Sequence, residues 1–219
     1  MIKKNRTLII VTSIITLAPI LFGILCWRRL PDTIAIHFSS DGTPNGWSSK
    51  PLAVLGLPVF IFGAHILCTF GTAIDPKHKN ISQKMYRLLL MLCPVVSIVC
   101  AAAIYGYALA LPMGNWLNSA FFMYLLMGII FFVVGNYLPK CHQNYTVGIK
   151  LPWTLADENN WYRTHRFAGR LYAIIGILCI INAFVQFRWM IPGVIIAVIL
   201  LPAGYSLALY LKGNGHKNS

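Results

Sequence analysis

Apolar runs of about twenty residues recur along almost the whole chain, and this repetition limits the possible folds more than any other feature. The six runs cover residues 7–27, 51–74, 85–111, 117–138, 168–187 and 190–211. A helix of about 20 residues crosses the roughly 30 Å hydrocarbon core of a bilayer. Charged residues make up only 11% of the chain, whereas soluble domains carry about 25%. The sequence therefore predicts an all-α polytopic membrane bundle with six transmembrane helices.

The net charge of +13 could indicate nucleic-acid binding, but the distribution of basic residues indicates membrane topology instead. If the N-terminus is cytoplasmic, 14 of the 18 Lys and Arg residues fall in cytoplasmic segments and 4 fall outside. Short cytoplasmic loops of membrane proteins carry this excess of basic residues. We therefore expect both termini to be cytoplasmic, and no nucleic-acid partner.

The first apolar run follows a basic N-terminal segment, as in a secretory signal peptide. No small-x-small cleavage site follows it, and Leu25 precedes Cys26 where a lipoprotein box needs a small residue. The run is therefore expected to stay in the protein as the first span. Residues 1–219 then form a single membrane domain, with an extracytoplasmic insert at 28–50 and a cytoplasmic loop at 139–167.

Residues that could carry catalysis or bind a metal are sparse. The six cysteines are scattered without a CxxC pair, and Cys141 beside His142 lacks further ligands at a usable spacing. No metal or cofactor is therefore expected. Two groups leave a membrane enzyme open as an alternative: His37 with Asp41, and His142 with His165, Asp157 and Glu158. No nucleophile–base motif or phosphate-binding loop accompanies them, which disfavours that class.

The predicted spans contain almost no ionisable residues. All five acidic residues lie between spans, and no Lys or Arg lies at mid-span. A charge at the bilayer centre costs at least about 2.5–3.5 kcal/mol and is usually kept for pairing or transport. A proton-coupled transporter is therefore disfavoured, although His65 leaves a small-solute channel or transporter open. The simpler interpretation is a buried polar pair of His65 with Asn182 and Gln186 of the fifth span.

The third span carries small residues at every fourth position: Ala102, Gly106, Ala110 and Gly114. Residues at this spacing line one face of a helix and let a second backbone approach closely. The stripe predicts close packing within the bundle, with a homo-oligomer contact as the alternative.

The insert between the first two spans reads LPDTIAIHFSSDGTPNGWSSKP, residues 30–51, and is called the first motif. Its apolar residues alternate, so that Ile34, Ile36 and Phe38 fall on one side of an extended segment. The sequence predicts a short strand whose apolar edge covers the helix ends while His37 faces away.

The rest of the first motif contains turn signals and membrane-interface residues. DG at 41–42 and NG at 45–46 predict two tight turns. Trp47 and Lys50 are expected to anchor the second helix at the interface, and Pro51 is suited to the first position of that helix. The insert is either a lid that caps the bundle or a pre-formed receptor surface.

The second motif, GIKLPWTLADENNWYRTHRFAGR, covers residues 148–170. Thr154 as a cap, with acidic residues at 157 and 158 in the first turn, predicts a helix start. Trp161, His165 and Gly169 then share one face at a spacing of four. The basic residues elsewhere around the helix indicate an amphipathic segment that enters the bilayer, or simple attraction to anionic headgroups.

Both motifs resemble a known family. The first resembles the outer-loop motif of the DUF1648 domain, P-x-x-I-P-x-H-F-x-x-x-G-x-x-(D/N)-x-W-x-x-K. The second resembles the motif of SdpI-type bacterial immunity proteins, G-x-(R/K)-x-P-W-T-x-x-(N/D/S)-x-x-x-W-x-x-(T/A)-H-x-x-x-G. The matching residues are Pro31, Ile34, His37, Phe38, Gly42, Gly46, Trp47 and Lys50 in the first motif, and Gly148, Lys150, Pro152, Trp153, Thr154, Trp161, His165 and Gly169 in the second. Two residues depart from the pattern: Ala35 stands where Pro is usual, and Asn45 where Asp is common.

The resemblance implies a function that composition and periodicity do not. A protein of this family is expected to lie in the bacterial cytoplasmic membrane and to protect its producer against a secreted antimicrobial peptide. A well-known relative also senses the peptide and then holds a cytoplasmic transcriptional repressor at the membrane. The implied partners are the lipid bilayer, a peptide toxin that meets the first motif and a repressor that meets the second. Trp161 and His165 are expected on the helical face that serves the repressor.

Overall fold

Six long apolar helices dominate the structure, a computed structural model that describes residues 1–111 and 119–215. The elements are α1 (Arg6–Leu25), β1 (Thr33–Phe38), β2 (Pro44–Ser49), α2 (Leu57–Ile74), α3 (Gln83–Ala108), α4 (Ser119–Tyr137), α5 (Pro152–Ala156), α6 (Glu158–Val185) and α7 (Met190–Gly215). A π-helical turn, Leu52–Gly56, leads into α2. Only α5 is too short to cross a membrane.

The six candidate spans confirm the predicted membrane bundle. They are Lys3–Leu25, Leu52–Ile74, Gln83–Ala108, Ala120–Lys140, Glu158–Val185 and Met190–Lys212. The predicted start of the fourth span at residue 117 lies outside the described residues. The fifth helix begins at Glu158 rather than at 168, because Asp157 caps it by accepting a hydrogen bond from the Asn159 N–H at 2.8 Å. Thr154 belongs instead to α5, so the predicted helix start at Thr154 is wrong.

The helices pack in a continuous order, with α1, α2 and α3 together, α4 against both α3 and α6, and α7 against α6. The two strands connect α1 to α2 at one end of the bundle, which is called the hairpin end. The connections α2–α3 and α4–α6 lie at the opposite end, which is called the loop end. The two motifs therefore occupy opposite ends of the bundle.

Glycines bring α4 and α6 into backbone contact. A Cβ atom added at Gly128 or Gly135 of α4 would lie within 2.8 Å of the carbonyl oxygen of Gly176 or Gly169 of α6, respectively. Helices in lipid gain no hydrophobic drive from one another and associate through such close packing. This contact between α4 and α6 is called the glycine seam. The spacing of the glycines along one helix does not reveal which helix they meet.

The small-residue stripe predicted on the third span is wrong as a helical feature. α3 ends at Ala108, and Ala110 lies beyond it with a φ of 48°. Ala102 and Gly106 instead line a groove beside Phe22 of α1. Gly114 lies outside the described residues.

The first motif forms an antiparallel hairpin, with Thr33 opposite Ser49 and Phe38 opposite Pro44. The predicted strand is confirmed. The predicted strict alternation of buried and exposed side chains along it is wrong, because the strand register is irregular around His37. Ala35 is buried as a result, whereas Ile36 is exposed.

The hairpin has one tight turn where the sequence predicted two. Gly42 has a φ of 83°, and the Ser39 N–H donates to the Thr43 carbonyl at 2.8 Å. The DG turn signal is therefore confirmed. The NG pair at 45–46 lies within β2, so the second predicted turn is wrong.

Apolar packing and one ion pair fix the base of the hairpin. Ile34 is fully buried in a core cluster with Leu30, Ala53, Val54, Ile104 and Tyr105. Burial of such a side chain stabilises by about 1.5–3 kcal/mol. Lys50 joins the two strand ends, because its Nζ lies 3.0 Å from a carboxylate oxygen of Asp32.

The glycine seam predicts the effect of adding one methyl group. We expect Gly176→Ala to lower the thermal unfolding midpoint in detergent, because its Cβ would collide with the backbone of Phe132 and Gly128. Overpacking of this kind costs about 1–3 kcal/mol. Gly204→Ala on α7 is the matched control, since its Cβ would meet nothing within 4 Å. Equal midpoints for the two variants would contradict the seam.

Candidate functional site

The loop between α4 and α5 is ordered by side chains that accept its backbone N–H groups. Five N–H groups between residues 145 and 151 find such an acceptor. The bonds run from Tyr145 to Asp75 (2.9 Å), from Thr146 and Val147 to Asn144 (2.9 and 2.6 Å), from Ile149 to His165 (2.9 Å) and from Leu151 to Thr154 (2.9 Å). Buried backbone groups need partners, and here the side chains replace a helix or a strand ladder.

His165 has both ring nitrogens in hydrogen bonds. Its Nδ1 lies 2.8 Å from the Trp161 carbonyl oxygen, so Nδ1 carries the proton, and Nε2 accepts from the Ile149 N–H. The ring stacks on Trp161 with centroids 4.0 Å apart, and the Trp161 Nε1–H donates to the Cys141 carbonyl at 2.8 Å. Gly148 has a φ of 122°, and a Cβ there would collide with both rings. These residues of the second motif form one packed unit.

Three further side chains hold the loop by hydrogen bonds to its backbone: those of Thr154, Gln143 and Asp75. The Thr154 hydroxyl lies 2.9 Å from the carbonyl oxygens of Ile149 and Leu151. The Gln143 amide donates to the carbonyls of Thr154 and Leu155 at 3.0 and 2.9 Å and accepts from the Lys77 ammonium. The loop is thereby attached to the α2–α3 connection.

Asp75 is an almost fully buried carboxylate at the end of α2. It accepts hydrogen bonds from the Thr146 hydroxyl at 2.6 Å and from the N–H groups of Lys77 and Tyr145 at 2.7 and 2.9 Å. Burial raises the pKa of this carboxyl, but the hydrogen bonds outweigh burial, so its pKa lies below the ordinary value.

A buried polar contact joins α5, α6 and α7. The Trp153 Nε1–H donates to the Ser206 hydroxyl at 2.8 Å, and that hydroxyl donates to the Asn160 amide oxygen at 2.8 Å. The Asn160 amide nitrogen in turn donates to the Ser206 carbonyl at 3.0 Å. Trp153 also stacks on Tyr210.

The predicted recognition face of the second motif is not a surface. Trp161 and His165 are 2% and 1% exposed, so neither side chain is available to a partner. Lys150, Tyr145, Tyr162 and Arg166 are exposed around them. The buried pair shapes the loop, and the exposed residues form its outer surface.

The groupings of His and acidic residues that left a membrane enzyme open are also not assembled, since in the hairpin His37 contacts Asn45 while Asp41 contacts Thr43. Asp157 caps α6, and His142 is exposed while His165 is sealed. Burial raises the pKa of the Cys141 thiol, which favours a neutral hydrogen-bonding group over a metal-binding thiolate. Among residues 1–111 and 119–215, no group of three His, Cys, Asp or Glu side chains could hold a metal ion.

The polar side chains of the hairpin bond to one another. His37 Nδ1 lies 2.5 Å from the Asn45 amide oxygen, and the Asn45 amide nitrogen donates to the Ser39 hydroxyl at 2.9 Å. The Asn45 amide oxygen thus accepts a hydrogen bond from His37, as the carboxylate of the more common Asp would at this position. A Cβ at Gly46 would lie 2.8 Å from the His37 Cβ, so glycine leaves room for the imidazole.

An apolar cleft of about 200 Å³ lies beneath the hairpin, between β1, α3 and α4. Ile36, His37 and Phe38 form its hairpin side, and Ala103 and Phe122 lie on the helices. Except for the buried Ile104, the helical residues that line it are half-buried, so the cleft reaches the surface of the bundle. Phe38 and Trp47 also pack edge-on against Tyr107 of α3.

His65 is fully buried, but the predicted pair with Asn182 and Gln186 is wrong. Its Nε2 lies 3.1 Å from the Thr12 hydroxyl of α1, and its Nδ1 has no hydrogen-bond partner among the described residues. Asn182 instead bonds to the backbone of Phe187 at the end of α6.

The site contains important residues that the sequence analysis missed. They are the buried residues Asp75, Asn144, Asn160 and Ser206, of which Asn160 lies inside the second motif and the other three lie outside both motifs. Their polarity beside or within apolar runs was the available signal, but Asp75 and Ser206 bond to residues far along the chain.

These features define a class: a six-span membrane protein with a folded hairpin at one end and a side-chain-ordered loop at the other. Residues 14–62 match the domain of unknown function DUF1648, and residues 140–206 match the SdpI/YfhL protein family. The chain is 27% identical to the immunity protein SdpI of Bacillus subtilis (strain 168) over 208 residues, 95% of each chain. The chain is therefore similar to the SdpI-type proteins at both motifs and along nearly its whole length. No solved structure matches it.

The His165 geometry predicts a local loss of order. We expect His165→Phe to keep the stack on Trp161 but to leave the Ile149 N–H without its acceptor, which costs about 1–3 kcal/mol. Thermal unfolding in detergent and limited proteolysis of residues 141–151 measure the effect. Tyr162→Phe is the control, because it removes only an exposed hydrogen bond with Arg166 on the same helix. An unchanged loop in His165→Phe would contradict this role.

The buried Asp75 predicts an acid-sensitive loop. Its pKa is lowered by folding, so its contribution to stability is present above the unfolded pKa of about 3.9 and is lost as the pH falls through the folded pKa. We expect the protection of the residue 143–151 amides, measured against their intrinsic exchange rates, to fall in the native protein as the pH drops below about 4. In Asp75→Asn the loop should already exchange faster at pH 7 and should lose this pH dependence. Identical pH profiles would contradict the assignment.

Proposed function

We propose that this protein protects its cell against a secreted, membrane-active antimicrobial peptide by binding the peptide at the hairpin end. The apolar cleft beneath the hairpin is the observation that carries the proposal. The SdpI relative, which is described as an immunity protein, supports it. The proposed role needs no catalysis, cofactor or metal, and the chain acts as a single membrane domain.

The cleft and the hairpin together suit an amphipathic peptide at the bilayer surface. The cleft would take one large apolar side chain between Phe38 and the helices, while the polar row of His37, Asn45 and Ser39 lies at the hairpin surface. Full burial of a large apolar side chain is worth about 1.5–3 kcal/mol, or roughly ten- to hundredfold in affinity. The residues of the first motif are thereby proposed as the receptor surface.

The excess of basic residues at the loop end supports an extracytoplasmic hairpin and cytoplasmic termini. A cytoplasmic repressor, if the protein recruits one, would then meet the exposed residues of the second motif. Lys150, Tyr162 and Arg166 are the proposed contacts. The buried residues of that motif would support this surface from within.

Signalling between the ends requires two arrangements of the bundle that both ends influence. α4 and α6 extend between them and are joined along the glycine seam. At the hairpin end the Tyr124 hydroxyl of α4 lies 3.2 Å from the Ser40 carbonyl oxygen and 3.3 Å from that of Phe187. This pair of helices is the proposed route.

Filling the cleft tests the proposal. We expect expression of the protein in a sensitive strain to raise resistance to at least one member of a panel of membrane-active peptides. Ala103→Leu should lower that resistance about tenfold or more, because the new side chain occupies the cleft. Ala208→Leu on the exposed face of α7 is the matched control.

Membrane abundance is measured for every variant beside resistance. Full resistance in Ala103→Leu at normal abundance would contradict binding in the cleft. A wild-type protein that protects against no peptide of the panel would contradict the function itself.

A further inference from the structure

A second cleft lies at the loop end, between the first turns of α1 and α3. Its volume is about 570 Å³, and Lys4, Lys84 and Arg87 lie along it with exposed side chains. None of the described residues that line it is acidic. The cleft is separate from both motifs.

The cations of this cleft have no neutralising partner among the described residues. The ion pair found in residues 1–111 and 119–215 joins Lys50 to Asp32 at the opposite end. Arg87 is held by a neutral group instead, because its Nε donates to the Asn5 amide oxygen at 3.3 Å. Three like charges around one cleft favour the binding of an anion.

Asn5 is a built part of this cleft and not a mobile surface residue. It is 4% exposed, and its amide nitrogen donates to the Met1 carbonyl at 2.9 Å and to the Gln83 amide oxygen at 3.0 Å. The guanidinium of Arg87 is therefore oriented by a fixed acceptor. A planar, oriented guanidinium suits the oxygens of a phosphate.

The deeper wall of the cleft is apolar. Leu8, Leu88 and Met91 line it, and each lies four residues after one of the three cations. Four residues correspond to about one helical turn, or 5.4 Å along the axis. α1 and α3 both run from the loop end into the bundle, so the apolar residues lie deeper than the charges. A matching ligand has an anionic head and an apolar body.

From this order of charges and apolar side chains we propose that the cleft binds an anionic phospholipid, with the lipid phosphate at Lys84 and Arg87 and an acyl chain along Leu88 and Met91. Basic pockets between transmembrane helices bind anionic headgroups in this way. The bound lipid bridges α1 and α3. This site is independent of the function proposed for the hairpin.

Native mass spectrometry of the full chain in detergent tests the site with phosphatidylglycerol as the probe. We expect saturable binding of one lipid and an affinity about thirtyfold lower in the double variant Lys84→Gln, Arg87→Gln. Lys79→Gln with Lys212→Gln is the control, since it removes the same charge from exposed positions of the loop end outside the cleft. Arg87→Lys, which keeps the charge but loses the planar guanidinium oriented by Asn5, should bind more weakly than the wild type and more tightly than the double variant.

Three results would overturn the proposal. Equal losses in the two double variants would show attraction to diffuse charge. Equal affinity for glycerol phosphate, which lacks acyl chains, would show a site for free phosphate. Equal affinity for phosphatidylcholine would show that the cations take no part. Thermal unfolding without added lipid is measured beside binding, and wild-type midpoints in the variants assign any loss of binding to the cleft.

Discussion

Hydrocarbon offers no hydrogen-bond partners, and this constraint determines where the chain can be irregular. Within the spans the helices satisfy their own backbone groups. Side-chain hydroxyls of Thr16 and Ser97 bond back to carbonyls rather than remain unpaired. The irregular backbone of the two motifs lies at the two ends of the bundle. Strand pairing satisfies it in the hairpin, and buried side chains satisfy it in the loop.

The two motifs therefore differ in whether their most distinctive side chains are buried in the fold or lie at the surface. In the second motif the residues with the most distinctive side chains, Trp161, His165 and Thr154, are buried and hold the loop. In the first motif His37, Trp47 and Gly46 lie at the hairpin surface above an apolar cleft. Binding chemistry is thus more accessible at the hairpin end, while the loop end presents a fixed shape to any partner.

Two clefts on the surface of the bundle differ in chemistry. The cleft beneath the hairpin is almost wholly apolar, and the cleft between α1 and α3 has a cationic mouth above an apolar wall. They lie at opposite ends. A peptide at one end and a lipid at the other would act on α3 together, because α3 contributes to both clefts.

The sequence by itself determined the membrane class, the number of spans, the strand at 33–38 and the resemblance to the SdpI-type proteins, because these follow from local composition and contiguous motifs. It did not determine that Asn182 lies away from His65, that α6 begins at Glu158, or that Gly128 and Gly135 meet Gly176 and Gly169. Those features depend on which helices become neighbours. Asp75 and Ser206 show the same limit, since Asp75 accepts from the Tyr145 N–H and Ser206 donates to Asn160, in each case dozens of residues away along the chain. Only tertiary packing decided them, because a polar residue at the end of a span becomes a structural acceptor once another segment brings its donors into reach.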